Sequence, residues 1–173
     1  MPQLPARTQL IDPFAPTTNS IIRFKAWPAL NDEKLAAAAH VARRRRLRID
    51  DASLHHLFAG ETLQARLARA LAARRAIDVK EFFEAFEFFA RTRGSLRGKP
   101  GAPGAATLVD IAGGHGLVGA LFAVFEWRRF ERVLVADLHR PPSFGEVLQA
   151  VDEVAPWAAR RLAYVEVEEA DMR

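Results

Sequence analysis

At 173 residues, with 50% hydrophobic and 27% charged side chains, the chain has the composition of an ordinary globular protein able to bury a sizeable core. The absence of cysteine excludes a disulfide framework, and with five histidines and no paired His/carboxylate helix motif no metal site is expected. A net charge of +4 and a pI near 10.1 favour an acidic partner, while no apolar run approaches the roughly 18 residues of a membrane helix and the first residues lack the apolar stretch of a signal peptide. No membrane association and a cytoplasmic location are therefore expected.

Residues 1–20 carry Pro2, Pro5, Pro13 and Pro16 and read as extended or disordered. Residues 21–93 read as a helical module. A first helix is expected from Asn31 as its cap, with acids at Asp32 and Glu33, through Leu35 to Arg48, where cations complement the macrodipole. A second spans about Gly60 to Ala76, with Leu63, Leu67 and Leu71 on one face. Asp78 opens a third, and Glu81 three positions on completes a capping-box pair. Its apolar residues Phe82, Phe83, Phe86, Phe88 and Phe89 cover more than half of the circumference, so this helix is expected to be buried between other elements rather than to offer a base-stacking platform.

Two clusters of cations bear on partners. Arg43 to Arg46, with Arg48, form a dense run, and Arg91, Arg93, Arg97 and Lys99 form a second basic segment at 91–99. Consecutive helical residues point in different directions, so the first run reads either as a solvated helix end or as a phosphate-backbone contact. Residues 94–106, rich in glycine and proline, read as a linker to a second module.

That second module, 107–173, opens with Thr107-Leu-Val-Asp-Ile-Ala-Gly-Gly-His-Gly-Leu-Val-Gly119. A short apolar strand ends in Asp110 and breaks into a turn in which Gly113, Gly114 and Gly116 let the backbone take positive φ or approach a ligand closely. The apolar run 117–125 then reads as a helix whose first amides point at that ligand. Glu131 to Asp137 reads as a second strand with an acid at its carboxyl end, and 162–167 as a third, followed by Glu168, Glu169, Asp171 and Met172. Open α/β sheets bind ligands at the carboxyl ends of their strands, and acids follow all three strands here. Glu166, Glu168 and Glu169 read as a solvated edge. His115, between two glycines, more often contributes backbone than chemistry.

Two readings compete for this loop. Gly114-x-Gly116-x-x-Gly119, with Asp137 18 positions further on, matches the dinucleotide fingerprint of an NAD(P)-binding oxidoreductase. The fuller pattern, apolar-apolar-Asp110-x-Ala112-x-Gly114-x-Gly116, resembles motif I of the class I S-adenosylmethionine-dependent methyltransferases, which usually carry glycine where Ala112 stands. The resemblance implies an α/β fold: a Rossmann-like doubly wound parallel sheet, of which this chain holds the first half, preceded by helices that lid the cofactor or carry substrate specificity. It also implies S-adenosylmethionine as cofactor. Asp110, Ala112, Gly113, Gly114 and Gly116 would form its loop, Asp137 with Leu138 its ribose site, and Asp171 with Met172 its adenine site. The methyl acceptor is unspecified, RNA being slightly favoured by the two basic clusters. The resembled sheet has seven strands and this sequence stops after the third, so an incomplete segment, or a non-catalytic interaction domain with a vestigial site, is the third reading.

Overall fold

A computed structural model of the chain describes residues 24–96 and 106–168. The expectations for 1–20, for most of the 94–106 linker including Arg97 and Lys99, and for Asp171 and Met172 lie outside the described residues.

Helix α1 (Glu33–Ala42) is capped by Asp32, whose carboxylate accepts from the amides of Lys34 and Leu35 at 2.9 and 3.2 Å, satisfying two first-turn donors. Asn31, the expected cap, instead ends a 3₁₀ turn (Pro28–Asn31) and exchanges side-chain hydrogen bonds with the backbone of Phe24. The helix stops at Ala42 rather than Arg48. Leu47 is fully buried, and the backbone on either side of it turns to face the start of α3 (Val79–Thr92). Val79 N donates to Arg45 O at 2.9 Å, Lys80 N to Arg43 O at 3.0 Å and Leu47 N to Ile77 O at 2.9 Å. The arginine run thus satisfies the open amides of another helix instead of prolonging its own.

Thr62 caps α2 (Leu63–Ala73), its hydroxyl accepting from Ala65 N at 3.2 Å. Helix α3 begins as expected after Asp78, whose amide donates to Glu81 Oε2 at 3.3 Å. Phe82, Phe83, Phe86 and Phe89 are buried, while Phe88 is 53% exposed, so the helix is covered on the side of the other four and open to solvent at Phe88. Trp27 packs on Phe82, Phe83 and Phe86 at centroid distances of 5.3–6.4 Å, and Phe89 meets Phe122 at 4.9 Å. These rings are core, with no free face for a base.

Strands β1 (Ala106–Ile111), β2 (Phe130–Asp137) and β3 (Leu162–Glu166) form a parallel sheet in the order β1-β2-β3. Helix α4 (Leu117–Phe125) joins β1 to β2, while α5 (Pro142–Val154) and the short α6 (Pro156–Ala159) join β2 to β3. The chain is therefore a mixed α/β fold. Val133, Val135, Leu162 and Tyr164 face these helices, Tyr164 packing its ring on Phe144 of α5 at 4.8 Å. On the opposite face Val109, Ile111 and Val165 are 51%, 66% and 39% exposed. Helices α2 and α3 pack in turn on α5 and α4, so one hydrophobic core runs from Trp27 through all the long helices to the inner face of the sheet.

Candidate functional site

The carboxyl ends of the three strands and the turn 112–116 form one edge of the molecule. Ala112 adopts φ 55, the left-handed region where a Cβ is strained, at the position the resembled motif fills with glycine. A Cβ on Gly113 would lie 2.6 Å from Val135 Cγ1, so a side chain there has no space. Gly116 combines φ 73 with a close approach to Phe144, and it caps α4 without a side chain of its own. Gly114 also takes positive φ, and around its missing Cβ there is open space.

Because the cap residue is glycine, the first amides of α4 find partners elsewhere. Asp110 Oδ2 accepts from Gly119 N at 2.9 Å, reaching from β1 to the first turn of the helix. His115 Nδ1 accepts from Leu117 N at 3.1 Å. Asp110 thus does what a capping side chain would do, and its carboxylate lies against the positive end of the α4 dipole. Burial raises its pKa above the usual carboxylate range, opposed by the Gly119 hydrogen bond and the nearby His115, and Asp137 adds to the rise.

Asp137 ends β2 and clasps the same loop: Oδ2 accepts from Gly114 N at 2.9 Å and Oδ1 from Leu138 N at 2.7 Å. A carboxylate offers roughly four acceptor directions, so two remain for a ligand hydroxyl pair. Leu138 is 40% exposed beside it. The structure therefore brings together Asp110, Ala112, Gly113, Gly114, Gly116, Asp137 and Leu138. Glu166, closing β3, accepts from Arg140 N at 2.8 Å and is exposed.

His115 is more than a loop spacer. With Nδ1 accepting from a backbone amide, the ring proton resides on Nε2, which lies 3.9 Å from Glu81 Oε2 on α3. Burial lowers its pKa below 6.5, against the pull of Glu81 and Asp110. This ring joins the glycine loop to the helical module, a contact that spacing in the sequence did not reveal.

The two basic clusters separate. Arg91 Nε donates at 2.6 Å to Glu87 of the same helix, Arg93 Nε donates at 2.8 Å to Glu126 just past the end of α4, and both carboxylates are buried, so Arg93 ties the end of α3 to that of α4. Of the basic segment 91–99, these two guanidiniums are thus engaged by interior acids, while Arg97 and Lys99 lie outside the described residues. Arg45 and Arg46, by contrast, line one cleft together with Arg48 and Arg75. Arg75 carried no signal in the sequence, as its position depends on how α2 ends. Among the described residues no group of histidines and carboxylates is placed to hold a metal ion, and no helix is long and apolar enough to cross a membrane. No family model, curated protein or solved structure matches this chain.

Proposed function

We propose that the chain binds S-adenosylmethionine at the carboxyl edge of its sheet and serves methyl transfer, its layout being the first half of a Rossmann-like doubly wound fold. The observation that supports this over a nicotinamide dinucleotide is the position of Asp110. Its carboxylate already occupies the first turn of α4 through Gly119 N. A pyrophosphate brought to that helix end meets a like charge, whereas a ligand bearing a positive sulfonium and an amino group meets an opposite one.

The donor and acceptor set fits such a ligand. Asp137 keeps acceptor capacity for the ribose hydroxyls, the space at Gly114 admits close approach, and Leu138 offers an apolar wall. When bound, the cofactor supplies an electrophilic methyl group. The residues of this chain would orient it and exclude water from one side. No general base is assigned: the one basic nitrogen of His115 is engaged by Leu117 N, which leaves that ring a positioning role. Asp171 and Met172 remain assigned to the adenine by resemblance alone, and RNA remains the favoured acceptor. The alternative, a non-catalytic interaction domain with a vestigial site, predicts no cofactor binding.

Calorimetric titration with S-adenosylhomocysteine, with NAD as control, tests the reading. Binding of S-adenosylhomocysteine alone is expected, and Asp137→Ala should weaken it by about 1–3 kcal/mol, the scale of a lost hydrogen bond to a charged group. Tighter binding of NAD, or an Asp137→Ala variant with unchanged affinity, would sink the assignment.

A further inference from the structure

The cleft lined by Arg45, Arg46, Arg48 and Arg75, with Asp50, Asp51 and Ala52, has a volume of about 490 Å³ and a net charge of two positive. That is within the ~300–1,000 Å³ range of ligand sites and larger than a lone phosphate requires. Three of the arginines are held in place by acids. Arg45 pairs with Asp51 at 2.9 Å, Arg46 with Asp78 at 3.3 Å, and Arg48 with Asp50 at close range, yet each of the three stays half-exposed. A guanidinium has five N–H donors, so these pairs fix the orientation of each fork and leave donors over.

Arg75 differs from the other three. It has no hydrogen bond or ion pair through its side chain among the described residues, and its charge reaches Asp50 only through space. It also sits in a conformation that disfavours it. Helix α2 ends with Ala76 N donating to Leu71 O and Arg75 N to Ala72 O, both at 3.1 Å, a Schellman closure that places Arg75 at the position where glycine is preferred. Its φ is 48. A strained, unpaired arginine directed by a helix end into a cleft of three anchored arginines is the pattern of a site that expects an anion.

We infer that this cleft binds the phosphodiester backbone of single-stranded RNA. Anchored guanidinium forks at several points of one cleft match a row of phosphates better than one carboxylate or a flat bilayer surface. A chain of contacts connects the cleft to the glycine loop: Arg46 reaches Asp78 at the start of α3, and Glu81 one turn on faces His115. The inference deepens the proposed function by placing the acceptor strand, and in that placement it rests on the methyl-transfer reading. RNA binding itself needs no cofactor.

The test is fluorescence anisotropy of the whole chain with a labelled oligouridylate across a salt series. Arg75→Gly and Arg48→Gln should each weaken binding roughly three- to tenfold and make the salt dependence shallower by about 0.7 for each phosphate no longer neutralised. Arg75→Gly relieves the strained backbone, so the variant that binds less should also melt higher, a combination that loss of fold cannot produce. Arg132→Gln, at an exposed arginine of β2 outside the cleft, should leave affinity within about twofold. Equal losses in Arg132→Gln and Arg75→Gly would overturn the cleft in favour of diffuse charge, as would unchanged affinity in Arg75→Gly. Stronger binding to phosphatidylserine vesicles than to oligouridylate, abolished by the same substitutions, would overturn the RNA assignment. RNA binding that depends on these arginines while S-adenosylhomocysteine fails to bind would uphold the cleft and remove the cofactor reading.

Discussion

Asp110 and Ala112 stand two residues apart, and each departs from what its type prefers. Ala112 holds a left-handed backbone that glycine holds without strain. Ala112→Gly should therefore raise stability by about 0.5–1 kcal/mol, the strain relieved being partly offset by a freer unfolded chain, as read from urea denaturation. A destabilised variant would mean that the methyl group packs on something the turn needs. Asp110 has a pKa raised above 3.8, chiefly by burial. For a carboxyl raised in the folded state, the stabilising contribution is present below the unfolded pKa and is lost as pH climbs through the folded one. At neutral pH the ionised carboxylate thus costs stability. Asp110→Asn keeps an oxygen for Gly119 N, so it should be more stable than the native protein at pH 7, the advantage vanishing below about pH 3.8. A deficit at pH 7 would show that the charge itself caps α4 favourably.

At the scale of elements, the helices are joined to their neighbours by buried acids. Glu87 of α3 is 7% exposed, accepts from Lys25 N and Ala26 N, and pairs with Arg91, so one carboxylate binds the segment that carries Trp27 to the helix. Removing it deprives the Arg91 guanidinium of that carboxylate and leaves two amides without acceptors. Glu87→Leu should cost about 3 kcal/mol in chemical denaturation. A cost below about 1 kcal/mol would indicate that water enters and replaces the carboxylate. The sequence made α3 legible through Asp78, Glu81 and its phenylalanines, but it placed Glu87 on no particular face. Its role depends on a partner segment 62 residues away.

Across the whole molecule, the helical layer and the sheet meet at His115, whose Nε2 faces Glu81. His115 has a pKa lowered by burial, and so has His56, whose two ring nitrogens are buried without hydrogen-bond partners among the described residues. A depressed folded pKa means that stability present above the unfolded value is lost as pH falls through the folded one. These two rings should make the protein lose stability as it is acidified below about pH 6.5. His115→Gln and His56→Gln should each flatten part of that slope in urea midpoints measured from about pH 7 to 5. Unchanged slopes in both would place the acid sensitivity elsewhere.

Strand spacing, the acid ending each strand and the glycine turn were written locally, because period-two apolar runs and positive-φ turns are properties of neighbouring residues. From these the sequence determined a parallel α/β module preceded by helices, and it singled out Asp110, the glycines and Asp137 as one site. Tertiary structure decided what those residues touch. Asp110 turned inward to the α4 amides because Gly116 has no side chain to cap them, and Arg91 and Arg93 became supports for buried acids. Helix α1 stopped at Ala42 because Leu47 buries and the arginine backbone satisfies the start of α3. Arg75 joined Arg45, Arg46 and Arg48 only through the way α2 ends against that same segment, a meeting of residues some 30 positions apart that no local pattern encodes.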